Sequence, residues 1–263
     1  MSQLPLFTGL SDFDALAGQL QRGKVTAVAG RPSAGASAFA FTVARNNLAV
    51  EHTVAVINLQ VNHKQLMGNF LAAESGTNVD RWESLNEGRL MRLKRAGAAL
   101  SETRLWTWTP AYLGRPAQIA QELVQIEDLG LLIVDDYAMA ASNELVQGET
   151  FTALQELAAE RDIVVLVTAH LQRADLGQEL TVPTYADLIT GEDTAVAAAD
   201  ASIVLHRPDT DGTVPERRGE VDIIAAHGWQ NTGTATVRFE PEYHRLVDSP
   251  NRATTGPNTA PTR

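Results

Sequence analysis

Residues 30–37 read Gly-Arg-Pro-Ser-Ala-Gly-Ala-Ser. Two glycines at that spacing, with a hydroxyl shortly after the second, make a loop that can wrap phosphate. Backbone N–H groups converge on the phosphate oxygens, and the Ser37 hydroxyl can hold Mg²⁺. The pattern GxxxxGK[ST] also needs a lysine to reach the β and γ phosphates, and Ala36 stands in its place. The chemistry open to Gly30, Arg31, Pro32, Ser33, Gly35, Ala36 and Ser37 is therefore nucleotide binding. The chemistry they lack is neutralisation of the charge that moves during hydrolysis.

Such a loop works only between a strand and a helix. Lys24–Ala29 is an apolar run suited to the strand, and Ala36–Leu48 to the helix after it. Strand-like runs recur at Thr53–Leu59, Arg104–Thr107, Leu131–Asp136, Ile163–Ala169 and Ala201–Leu205. Helical stretches lie between them at His63–Ala73, Glu87–Leu100, Arg115–Glu127 and Glu149–Arg161. This alternation is the signature of an α/β fold, a mainly parallel twisted sheet flanked by helices. Val221–Ala225, Thr234–Phe239 and Tyr243–Val247 read as antiparallel C-terminal edge strands. From Asp248 onward the sequence has no apolar periodicity, and residues 248–263 read as a disordered tail.

Five segments carry a family resemblance, in order and at family-like spacing. They are TGLSDFDALAGQLQRGKVTAVAGRPSAGASAFA (8–40), LGLLIVDDYAM (129–139), VTAHLQR (167–173), ADASIVLHR (199–207) and EVDIIAAHGWQNTGTATVRFEPEYHRL (220–246). Together they resemble the RecA-like motor domain of DnaB-type replicative helicases, over residues 8–247. The resemblance implies a P-loop ATPase fold and ATP or ADP with Mg²⁺ as the ligand. In the family an N-terminal helical domain and a linker helix precede the motor and help close a ring. Only residues 1–7 stand before Thr8, so ring closure by that route is not expected.

Carried over residue by residue, the family's machinery is reduced. The lysine is Ala36. The glutamate that activates water in a Ser-Leu-Glu-Met-Ser segment falls on Gln60 of Asn58-Leu59-Gln60-Val61-Asn62, and an amide takes no proton near neutral pH. The carboxylate that holds Mg²⁺ aligns with Asp136, before Tyr137, leaving Asp135 as an additional acid; Ser37 and Asp136 are then the expected Mg²⁺ residues. The γ-phosphate-sensing glutamine aligns with His170. The turn whose Lys and Arg enter the neighbouring subunit's site reads Ala226-His227-Gly228-Trp229, without either cation. Ala226, Gly228 and Trp229 are expected to form a partner surface instead, with Trp229 as its centre.

The chain has 263 residues, no cysteine and a formal charge of −11. Disulfides and cysteine metal sites are excluded. Affinity for nucleic acid rests on clustered Lys and Arg. The first central loop, Ala140–Gly148, has neither, and the second, Arg173–Tyr185, has one Arg against two acids. These features speak against DNA binding. Arg89, Arg92, Lys94 and Arg95, with Lys64 and Arg81 upstream, read as the wet side of a helix whose Leu90, Leu93 and Ala96–Ala99 face is buried. No apolar run is long enough to span a membrane and no leader precedes the first strand, so a cytoplasmic protein is expected. The reading these features favour is a catalytically inactive, helicase-like pseudo-ATPase that binds a protein partner or itself. Two alternatives stay open: a divergent DNA helicase or DNA-dependent ATPase subunit completed by a partner, and a nucleotide sensor that binds without hydrolysis.

Overall fold

The computed structural model describes residues 4–80, 83, 85–109, 123–140, 144–172, 181–190, 194–209 and 215–249. Among these residues nine strands form one sheet in the order β3-β2-β4-β5-β1-β6-β7-β8-β9. The strands are β1 (Lys24–Gly30), β2 (Thr53–Asn58), β3 (Leu105–Trp108), β4 (Leu129–Asp135), β5 (Val164–His170), β6 (Ala201–His206), β7 (Glu220–His227), β8 (Gly233–Glu240) and β9 (Arg245–Asp248). β3 through β6 in sheet order run parallel, and β7, β8 and β9 are antiparallel at the edge, as the sequence implies. The central strands β1, β2, β4, β5 and β6 are buried along nearly their whole length. That explains why they read as continuous apolar runs: crossover helices cover both faces of a parallel sheet.

Helices α2 (Ala36–Leu48), α3 (His63–Ser75) and α4 (Glu87–Ser101) follow β1 and β2. α2 and α3 cover one face, where Phe39, Phe41 and Phe70 pack with Val28, Val56 and Ile203. α5 (Glu144–Arg161) covers the other face, where Phe151 and Ala158 pack with Val165 and Val134. A short α6 (Tyr185–Ile189) joins that side, opened by a Thr184/Asp187 capping box. The Arg115–Glu127 helix expected from sequence lies mostly outside the described residues, as do residues 250–263 of the expected tail. β9 runs through Asp248, one residue beyond the expected boundary.

The helix Glu87–Ser101 forms where expected, but its packing corrects the sequence reading. α4 rests on α3, and Ala96 is its buried residue, while Leu90 and Met91 are each 45% exposed. A helix covered mainly by one other helix buries a narrow stripe, so the Leu90–Leu93 periodicity does not mark a deep face.

An additional helix, α1 (Ser11–Ala17), escaped the sequence reading. Its N-terminal end is fixed by carboxylates. Asp14 accepts from Thr8 N and Oγ1 and from Gly9 N, and Ser11 donates from N and Oγ to Asp248 at 2.9 and 2.7 Å. Burial raises the Asp14 carboxyl above its ordinary value, and the bonds from Thr8 offset this only in part. A carboxyl raised on folding binds its proton more tightly in the native state. Its contribution to stability is therefore complete below the unfolded value near 3.8 and fades as pH rises through the native one. Asp14→Asn should accordingly cost more stability at pH 4 than at pH 7 in paired urea unfolding curves. An equal or larger loss at pH 7 would contradict that sign.

Candidate functional site

The phosphate loop joins β1 to α2, as its sequence requires. Ser33 and Gly35 take left-handed backbones (φ 69° and 98°), which curl the chain. Gly30 is required sterically, because a Cβ there would lie 2.9 Å from the Ala34 Cβ. Gly35 caps α2 without any side-chain bond. The first N–H groups of α2 are thus left for an anion, where the helix dipole also favours negative charge. Arg31 turns away from the loop, its Nη1 2.8 Å from the Thr181 carbonyl ahead of α6.

Parallel sheets bind ligands at the carboxyl ends of their strands, and four strands bring polar groups to the loop there. Asn58 ends β2, Asp135 ends β4, and His170 ends β5 as the register partner of Gly30. Arg207 follows β6, its Nη1 3.2 Å from the Ser33 carbonyl and its guanidinium stacked 5.1 Å from the centre of the Phe239 ring. Phe239 in turn lies 3.8 Å from where a Cβ on Gly35 would stand. Sequence reasoning missed Arg207 and Phe239; their place beside the loop follows only from strand order.

The carboxylate pair resolves differently from the alignment on Tyr137. Asp135, not Asp136, is the last strand residue and 1% exposed, with the Ser37 side chain close enough to pull its carboxyl down. It also accepts from Asn58 Nδ2 at 2.6 Å and Thr168 Oγ1 at 2.7 Å. Burial pushes its carboxyl up, against the pull of Thr168 and Ser37. Asp136 has left the strand with a left-handed backbone (φ 63°) and stands 3.5 Å from His170 Nε2. The geometry therefore sets Asp135 beside Ser37 and Asp136 beside His170.

Gln60 reaches the same edge but is exposed, its N–H donating to Asn58 Oδ1 at 3.1 Å. Ala36 packs partly against the core. These residues fit a Mg²⁺-nucleotide held by backbone N–H groups and the Ser37–Asp135 pair. They offer no cation at position 36 and no proton acceptor at position 60.

Ala226, Gly228 and Trp229 lie at the opposite end of the sheet. β6 carries the register there: Leu205 pairs with Gly30 beside the loop, whereas Ser202 pairs with His227. The expectation that Trp229 forms a partner surface is wrong. Its ring is 8% exposed, meets Phe13 edge-on at 5.6 Å, and donates Nε1 to the Ser202 carbonyl at 3.0 Å. A large indole in a turn gains more by filling the gap under α1 than by facing water. Gln21 and Asn231 add side-chain bonds to the Gly228 and Leu16 carbonyls. Gly228 has φ 76°, and a Cβ there would fall 1.9 Å from the Asp200 carbonyl oxygen. Of the two central loops, residues 140–147 and 173–180 lie outside the described side chains, as do Arg81 and Trp82. Among the remaining tryptophans, Trp106 is half exposed on the edge strand β3 and Trp108 packs partly against the core.

A sheet of this order with a phosphate loop after its central strand defines a RecA-like ATPase-type domain. The family described as the DnaB-like helicase C terminal domain matches residues 5–248, and the chain belongs to it. It is 26% identical over 264 residues to the replicative DNA helicase DnaC of Bacillus subtilis (strain 168). It is 27% identical over 267 residues to the replicative DNA helicase DnaB of Geobacillus stearothermophilus. Each match covers 92% of this chain and 56% of the relative, so the chain spans little more than half of their length. Among solved structures, a DnaB-like replicative helicase, described with its interactions with primase, superimposes with a TM-score of 0.82 at 20% identity, covering 93% of this chain and 62% of that one. An isolated ATPase domain gives the same score and identity over 91% of its own chain. No helix among the described residues is long and apolar enough to cross a membrane.

Proposed function

We propose that this chain is a non-hydrolysing member of the family, a pseudo-ATPase that acts by binding a protein partner or a second copy of itself. The observation that carries the reading is the pairing of an intact phosphate cradle with missing reactive groups. Ser37 and Asp135 keep their contact and the α2 N–H groups are open, while positions 36 and 60 carry Ala and Gln. The helicases it resembles are replication proteins, so the partner is sought among proteins of DNA replication, in the cytoplasm.

A second reading, that Mg-ATP or Mg-ADP gates this binding, draws on Arg207 and Phe239. A flat guanidinium–aromatic pair beside a phosphate loop suits stacking of a planar base. The test is equilibrium binding of a fluorescent ATP analogue with Mg²⁺, alongside phosphate release. The parent should release no phosphate above background. Ala36→Lys should tighten binding about 10- to 100-fold, the worth of one charge-assisted hydrogen bond set, and still not turn over. Steady turnover by the parent alone would sink the proposal. Absence of binding in the parent would remove the gating reading and leave the partner-binding one.

A further inference from the structure

α3 ends at Gly76 in the left-handed region, and the chain then passes through Thr77 and Asn78 on its way to α4. Arg89 and Arg92 stand three positions apart on α4 and so share one side of it. They line a cleft of about 380 Å³ whose walls include Thr77, Asn78, Glu242 and Tyr243. That volume falls in the range of small-ligand sites.

The charges in this cleft are unevenly matched. Arg245, beside it, is committed: it pairs with Glu240 at 2.8 Å, bonds the Ala73 carbonyl at 2.7 Å and stacks on Tyr243. Arg89 and Arg92 form no ion pair with any described residue. The N-terminus of α4, capped by Asn86, adds the positive end of a helix dipole. Thr77 is 1% exposed, and its hydroxyl reaches the Ser75 carbonyl only at 3.4 Å. Glu242 is the one acid among the described lining residues, a position that repels a bare anion but accepts from a hydroxyl.

We propose that this cleft binds a small phosphate monoester bearing hydroxyl groups, a sugar phosphate or the ribose phosphate of a nucleotide. Arg89 and Arg92 hold the phosphate with charge-assisted bonds, Thr77 adds a donor, and Glu242 takes a sugar hydroxyl. The site shares no residue with the phosphate loop and stands whether or not that loop binds nucleotide.

The test is titration of the full isotope-labelled chain with ribose 5-phosphate and with inorganic phosphate, followed by amide NMR shifts. Saturable shifts at Thr77, Asn78 and Arg89 are expected. The double variant Arg89→Ala/Arg92→Ala, both exposed positions, should weaken ribose 5-phosphate at least about tenfold while keeping the fold's spectrum. Glu242→Gln should weaken ribose 5-phosphate but strengthen inorganic phosphate. The proposal is overturned by shifts confined to residues 30–37, by equal affinity in the double variant, or by no saturation. It is also overturned if a short single-stranded oligonucleotide alone binds through these arginines, since they would then be a backbone-phosphate patch.

Discussion

Gly228→Arg should unfold the protein earlier and restore nothing. The residue sits where the family's turn carries its arginine, so the substitution is the natural attempt at rescue. Two costs oppose it. A side chain at φ 76° costs about 1–2 kcal/mol. A Cβ 1.9 Å from the Asp200 oxygen must also displace backbone that Val25 N and Lys24 hold through the Asp200 carboxylate. Overpacking of this kind costs about 1–3 kcal/mol more. The sum predicts a fall in Tm of roughly 5–15 °C. Gly228→Ala should show most of it, because the cost lies at Cβ rather than in the charge. Combined with Ala36→Lys and Gln60→Glu, the arginine should add no turnover. A Gly228→Arg protein as stable as the parent would mean that the turn does not hold this conformation in solution.

The second large effect is expected at Asp135. Truncation to Ala removes the acceptor for Thr168 and Asn58 and the carboxylate beside Ser37. Ser37 is only half buried and can turn to water, but Thr168 is 3% and Asn58 1% exposed. Asn58 cannot flip to help, since its Oδ1 already accepts from Gln60 N and Val61 N at 3.1 and 2.7 Å. Two stranded buried donors cost about 2–5 kcal/mol, which outweighs the relief of removing a desolvated carboxylate. Asp136→Asn keeps a residue that tolerates the left-handed backbone and loses mainly the 3.5 Å contact with His170. Its cost should stay below about 1 kcal/mol. Urea unfolding of the two variants decides between the carboxylates. If nucleotide binds at all, its Mg²⁺ dependence should vanish with Asp135→Ala and survive Asp136→Asn. The reverse order would give the metal position to Asp136.

These two positions also mark where sequence reasoning succeeds and stops. The strands, the loop and the antiparallel edge were legible because each depends on local pattern: apolar runs for buried strands, glycines for the curl, carboxylates after a strand. The different surroundings of Asp135 and Asp136 were not, since the alignment on Tyr137 reaches Asp136 while the strand ends one residue earlier, at Asp135. Trp229 misled because its environment comes from Phe13 and Ser202, far away in sequence. α1 was missed at seven residues, too short for periodicity, though Leu10, Phe13 and Ala17 followed by Gly18 carry its outline. The α4 face was misjudged because apolar spacing says which side of a helix could be buried, not whether a second element arrives to cover it.

The place of β1 in the sheet has a consequence for how the chain is made. Its neighbours are β5 and β6, and the nearer of these begins about 140 residues later. At translation rates of about 5–20 residues per second, β1 waits roughly 7–28 s without a partner strand. During that time a nearly all-apolar segment is exposed on the nascent chain, and no local contact can shelter it for good. Production at lower temperature or with added chaperone should therefore raise the soluble yield more than any substitution on the finished surface.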